Sequence, residues 1–271
     1  MADAPRATLI PGDYSPRFTA LFARYTRSLL RRRFHAVRLA RGSEHCLTDH
    51  ASDSPSGAPQ IMLMNHSAWW DPLVGILLAR QFQPHRRPLA PMDAAELERF
   101  ELFRRLGVFG IDPADPGARD RVINHAAAAL RADAPATLWI TPQGRFADVR
   151  APIQLRPGAA AIAARVHPCR VVCIAVEYAF WLDNRPEIFV RAARCDQPAA
   201  APTTTSWHRA MHACMQGNAA ALASLVIARD PAPFETLLGA GAATINPAVD
   251  LWLKLRGKAG PLAQPRGGAP A

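Results

Sequence analysis

The chain has 271 residues, 49% of them apolar, with a formal net charge of +10. That is long enough for one large core or two small ones, and because no Gly/Ser/Pro-rich linker separates two patterned halves, a single domain is expected. Thirty of the 32 basic residues are Arg; nine fall within residues 1–41 against only Asp3 and Asp13, so about +7 of the charge sits at the N-terminus. The five cysteines, Cys46, Cys169, Cys173, Cys195 and Cys214, have no framework spacing, which points to a reducing compartment. Cys169-x-x-x-Cys173 has no second ligand pair beside it, so no metal site is expected.

Taken in order, the first 13 residues lack the apolar core of a signal peptide. The longest apolar stretch, 219–228, is about half a membrane span, so no helical span is expected. Residues 15–41 read as one basic amphipathic helix. Phe18, Leu21, Phe22, Tyr25 and Leu29 recur at helical spacing, Arg17, Arg24, Arg31 and Arg38 mark the other side, and no acid lies between Tyr14 and Arg41. This profile suits an anionic membrane surface, and equally a helix packed on the domain with a solvated Arg face. No base-reading feature accompanies the arginines, so nucleic acid is not an expected partner.

Residues 42–58 read as a short strand and a polar loop, 60–64 as a buried strand, and Pro72 to Phe82 as a helix with Asp71 as its N-cap. Strands are expected at 87–92, 107–112, 136–140, 171–178 and 187–192. Helices are expected from Asp93 to Arg105, and over 117–131, 158–166, 203–229, 233–239 and 246–256. Thr141–Arg145 is a turn by its Pro and Gly. Alternating strands and helices predict an α/β fold, a single domain around a mainly parallel central sheet flanked by helices. The expected organisation is the N-terminal helix at 1–41, the α/β domain at 42–257 and a disordered Pro/Gly/Ala tail at 258–271.

The apolar run Ile61–Met64 ends in Asn65-His66, and Asp71-Pro72 follows four residues later. His66 therefore falls in a strand-to-helix loop, where open α/β sheets commonly carry their sites. An imidazole and a carboxylate there can act as a general base and its orienter. Five residues of regular helix turn by about 140°, so the pair can meet only if the loop before Pro72 is not helical. The flanking Trp69 and Trp70 suit either an apolar groove wall or core packing. His208 and His212, four apart on the long helix, have no acid beside them and read as a solvated or core-edge pair.

Several segments, in order, resemble the glycerolipid acyltransferase superfamily, which includes bacterial 1-acylglycerol-3-phosphate acyltransferases and tafazzins. Asn65-His66-x4-Asp71 resembles its His-x4-Asp motif. Gly107–Asp112 is similar to its second block, Gly-x-x-Phe-Ile-Asp-Arg, and Thr141-Pro142-Gln143-Gly144 to its third, Phe-Pro-Glu-Gly-Thr-Arg-Ser. Arg156-Pro157-Gly158-Ala159 resembles the helix start that follows, and Val171–Tyr178 the hydrophobic fourth block. The resemblance spans about residues 15–195. It implies transfer of a fatty acyl group from acyl-CoA or acyl carrier protein, used as co-substrate without a further cofactor, to a hydroxyl of a lysophospholipid or related lipid. In that reaction His66 would be the base and Asp71 its orienter. It also implies peripheral work at the inner, cytoplasmic face of a membrane.

Three departures bear on the acceptor. Pro113, Gln143 and Phe146 stand where the family carries the Arg, Glu and Arg linked to a glycerol-phosphate head group. Asn65, Gln143, Gly144, Arg145, Arg119 and Arg156 are the expected substrate-binding residues, with Arg121 and Arg150 also near in sequence. An uncharged position 143 suits a less ionic acceptor, such as a glycolipid, carotenoid glycoside or amino lipid. It is also compatible with a non-catalytic lipid-binding relative.

Overall fold

A computed structural model describes residues 9–48, 58–112, 114–132, 135–181, 183–198, 201–239 and 255–256. Pro113, the tail at 258–271 and nearly all of the helix expected at 246–256 lie outside the described residues. The strands are β1 (Leu9–Ile10), β2 (Ala36–Ala40), β3 (Gln60–Met64), β4 (Arg87–Asp93), β5 (Val108–Ile111), β6 (Ala136–Ile140), β7 (Arg170–Ala179), β8 (Glu187–Arg194) and β9 (Phe234–Gly239). The helices are α1 (Pro16–Arg33), α2 (Glu44–Leu47), α3 (Asp71–Phe82), α4 (Ala94–Arg99), α5 (Ala118–Arg131), α6 (Gly158–Val166) and α7 (Thr204–Ala228), with a 3-10 turn at Glu101–Leu106.

The strands form one sheet in the order β1-β5-β4-β6-β3-β7-β8-β2-β9. Strands β5, β4, β6, β3 and β7 run parallel, as do β8 and β2; the β1–β5, β7–β8 and β2–β9 pairs are antiparallel. The sheet is thus mainly parallel, flanked by helices on both faces. β3 shows why: all five of its residues are buried. Ile61 and Leu63 join the core under α5, α6 and α7, while Met62 and Met64 join the core under α1 and α3. A strand apolar on both faces needs cover on both.

At the amino ends of the strands, buried polar groups are spent on backbone. Arg170 donates to the carbonyls of His45, Cys46 and Thr48, and Arg86 to those of Ala58 and Ala136 and to Thr137. A guanidinium can be buried when carbonyls and hydroxyls take its protons. Opposite, the carboxyl ends of β3, β6 and β7 are left for the site.

Four expectations are corrected. The basic helix ends at Arg33 rather than Arg41. Residues 36–40 are strand β2, seated between β8 and β9, because Val37 and Leu39 gain burial on the sheet that a longer surface helix would deny them. The short strand expected after residue 42 is instead the helix Glu44–Leu47. Residues 234–239 form β9 rather than a helix, since pairing with β2 satisfies their backbone. Asp93 caps its helix as expected, donated to by Ala95 and Glu96, but that helix stops at Arg99 and gives way to the 3-10 turn.

Helix α7 has the length and composition to cross a membrane. Trp207, Met211, Met215, Leu222 and Val226 recur along it at helical spacing and are buried in the core; the other side carries Arg209 and Gln216, both exposed.

Candidate active site

Three neighbouring parallel strands deliver their carboxyl ends to one place. β3 ends at Met64, and the next residue, Asn65, is fixed to β7 by both atoms of its amide. Its Nδ2 donates to the Val176 carbonyl at 3.0 Å and its Oδ1 accepts from the Val176 N–H at 2.7 Å. Asn65 therefore extends the β3–β7 ladder through its side chain and sets where His66 begins. The backbone of His66 is held on the other flank: its N–H donates to Gln143 Oε1 at 2.7 Å, and its carbonyl accepts from Ala147 N at 2.8 Å.

The loop 66–70 is not helical, which lets His66 and Asp71 meet. His66 Nδ1 lies 2.9 Å from Asp71 Oδ2. The same oxygen accepts from the N–H groups of Ser67 at 2.7 Å and Ala68 at 2.9 Å, while Oδ1 accepts from the Tyr178 hydroxyl at 2.6 Å. Asp71 is fully buried, and these four donors offset the cost of burying a carboxylate. Asp71 is not the helix cap. It is the first residue of α3, the cap position belongs to Trp70, and the carboxylate turns back into the loop.

Because Asp71 accepts from Nδ1, the neutral ring carries its proton there and leaves Nε2 as the acceptor. Nε2 has no hydrogen-bond partner among the described residues, and the side chain is 18% exposed. Phe146 covers one face of the imidazole, ring centroids 4.2 Å apart, and is itself 59% exposed. The result is an oriented imidazole with one free nitrogen under an apolar ring.

Tyr178 has no counterpart in the sequence reading beyond its strand. It closes the carboxylate's shell, and it stays protonated to do so: burial, then the Asp71 charge beside it, push its phenol far above the usual range. The only sequence signal was its place at the end of an apolar strand, which needs the β3–β7 pairing to become informative.

The remaining predicted residues divide. Gln143 is buried, with its carbonyl oxygen committed to His66. Gly144 sits at φ +64°, and a Cβ there would come within 2.9 Å of the Arg156 guanidinium. Arg156 packs over that turn and its N–H donates to the Pro142 carbonyl at 2.8 Å. Arg145 is exposed and reaches Gln154 at 3.4 Å. Arg150 folds back on Asp148 at 2.7 Å, and Arg121 pairs with Asp115. Arg119 is exposed on the first turn of α5 with no partner among the described residues; the preceding strand β5 stands three strands from β3, about 14 Å at ordinary sheet spacing.

Trp70 packs edge-on against Phe34 at 5.0 Å, whereas Trp69 is 66% exposed, its ring edge-on to Trp70. His208 and His212 donate from Nε2 to the carbonyls of Leu155 and Ile153, each at 3.0 Å. They tie the segment that carries Phe146 and Arg156 to α7. Among the described residues no cluster of His, Cys, Asp or Glu could hold a metal ion.

A protein-family model described as Acyltransferase matches residues 46–177, which include the His66 loop and the Gln143 turn and stop one residue before Tyr178. No curated protein matches the chain. Among solved structures, the chain is similar to the 1-acyl-sn-glycerophosphate (LPA) acyltransferase, PlsC, from Thermotoga maritima. That match has 12% identity and a TM-score of 0.49, and it covers 74% of this chain and 78% of that one.

Proposed function

We propose a specific reaction for a chain whose residues 46–177 match the acyltransferase family model: transfer of a fatty acyl group from an acyl thioester to a lipid hydroxyl. His66 Nε2 takes the proton of the acceptor hydroxyl as its oxygen attacks the thioester carbonyl. The tetrahedral intermediate collapses, the C–S bond breaks, and the imidazolium returns the proton to the departing thiolate. Asp71 holds Nδ1–H and stabilises the imidazolium. The thioester, acyl-CoA or acyl carrier protein, is a co-substrate. No other cofactor enters the reaction.

The observation that carries this reading is the His66–Asp71 pair with its free Nε2. Turnover of labelled acyl-CoA with a total lipid extract tests it, followed by mass spectrometry of the acylated product. His66→Ala should lower turnover about 10³-fold, within the usual range for loss of a general base. Full activity of that variant would end the proposal.

The acceptor is a lysophospholipid or a related lipid. A second reading, a neutral acceptor such as a glycolipid, is favoured by the apolar Phe146 ring on His66 and the uncharged Gln143 beside it. Phe146→Arg should then shift selectivity towards lysophosphatidate over a neutral acceptor. The protein works peripherally at the cytoplasmic face of an anionic membrane, with α1 as its contact.

A further inference from the structure

At the end of α3 away from the His66 loop, a groove of about 340 Å³ runs between α1, α3 and β9. Its floor is apolar: Ala20 and Ala23 of α1, Leu77 of α3 and Leu237 of β9. Its wall carries Arg24 and Arg27, one turn apart on α1, and Arg80 on α3. Gln81 is the other lining residue, and no acid is among them. None of the three guanidiniums has a hydrogen bond or ion pair among the described residues. Arg80 follows Asp71 by nine residues on one helix, about 14 Å along its axis, so the groove is separate from the catalytic pair.

Three unneutralised guanidiniums raise the local potential, and each can fork onto phosphate oxygens. A water-filled groove would suffice for a free anion, but an aliphatic floor between the charges gains only from an alkyl chain. Its volume lies within the ordinary range of small-ligand sites. We infer that the α1–α3 groove is a second lipid site, which takes one anionic phospholipid with its phosphate on Arg24, Arg27 and Arg80 and its acyl chain along Ala20, Ala23, Leu77 and Leu237. Leu21 and Tyr25, 64% and 57% exposed, continue on the neighbouring side of α1 and give a bilayer lipid a route in.

The test is photo-crosslinking of the full chain with a phosphatidic acid that carries a diazirine in its acyl chain, the adducts mapped by peptide mass spectrometry. Adducts should fall within residues 17–33 and 72–83, and dihexanoyl phosphatidic acid should compete them away. Replacing Arg24, Arg27 and Arg80 together by Gln should cut them at least tenfold, as should Ala20→Trp, which fills the floor. The Gln changes are on exposed side chains, so thermal unfolding of that variant should match the wild type. His66→Ala should leave these adducts unchanged, so the result stands or falls independently of the proposed reaction. No adducts in the two segments, or undiminished adducts in the triple variant, would overturn the inference. So would equal competition by inorganic phosphate, which would make the groove a free-anion site.

Discussion

Asp71 uses its two oxygens for different tasks. Oδ2 gathers the imidazole and two loop N–H groups; Oδ1 takes the Tyr178 hydroxyl. In Asp71→Asn the amide oxygen can still receive the Oδ2 donors while the amide nitrogen faces Tyr178, whose hydroxyl can turn and accept. Geometry is therefore kept and the charge is lost. Turnover should fall about 10²–10⁴-fold, with KM and the unfolding temperature little changed; a normal kcat would remove Asp71 from the mechanism. Tyr178→Phe leaves one carboxylate oxygen without its donor and should cost about 1.5–3 kcal/mol, the range for hydrogen bonds to charged groups, readable by urea denaturation. Glu177, the next residue back, faces a cavity shared with Asn65 and Gln143, and burial raises its carboxyl above the usual value. A raised acid favours the fold while protonated. Its contribution is complete below about pH 4, near the unfolded value, and is lost as pH rises through the raised one. Glu177→Gln should accordingly raise the unfolding temperature at pH 7 and give no gain at pH 4.

Elements differ in how much of their structure is local. β3, β6 and α6 begin and end at the residues the pattern indicates, because each is an apolar run closed by Pro, Gly or a turn. The His66 loop was legible for the same reason: a strand stop and an Asp-Pro helix start bracket it. β2 and β9 were not legible. Ala36–Ala40 continues a helical run, and only β8 and β9 lying alongside make it a strand. Gln143 and Tyr178 show the same limit at the site, since their contacts with the His66 loop depend on β6 and β7 flanking β3. β2 also changes what α1 can lose: removing residues 1–40 would take an internal strand with it, so such a truncation should unfold the protein rather than free it from membranes. A tighter constraint sits at Gly107, φ +87°, where a Cβ would lie 2.0 Å from the Pro88 carbonyl oxygen. Gly107→Ala must strain the turn or part β4 from β5, at a cost of about 3 kcal/mol or more, measurable as a lower denaturation midpoint.

Across the whole molecule, charge and apolar exposure fall on α1 together. Its packed side is Phe22, Ala23, Thr26, Leu29 and Leu30, while Leu21 and Tyr25 stay exposed among Arg17, Arg24 and Arg32. Packing on the domain and facing a bilayer are thus compatible, each using a different side of one helix. Two forces would then hold the protein on an anionic surface: attraction of the arginines, and burial of two side chains. They separate experimentally. The Debye length shortens from about 30 Å at 0.01 M salt to about 10 Å at 0.1 M, which weakens the first and spares the second. Binding to vesicles of phosphatidylglycerol and phosphatidylcholine should fall steeply over that range and then level off at a salt-resistant remainder. Changing Leu21 and Tyr25 to Ser should abolish the remainder and keep the steep phase. Flotation of both proteins across the salt series measures this, and a salt-resistant fraction that survives the double change would move the apolar contact elsewhere, to the exposed Trp69 and Phe146.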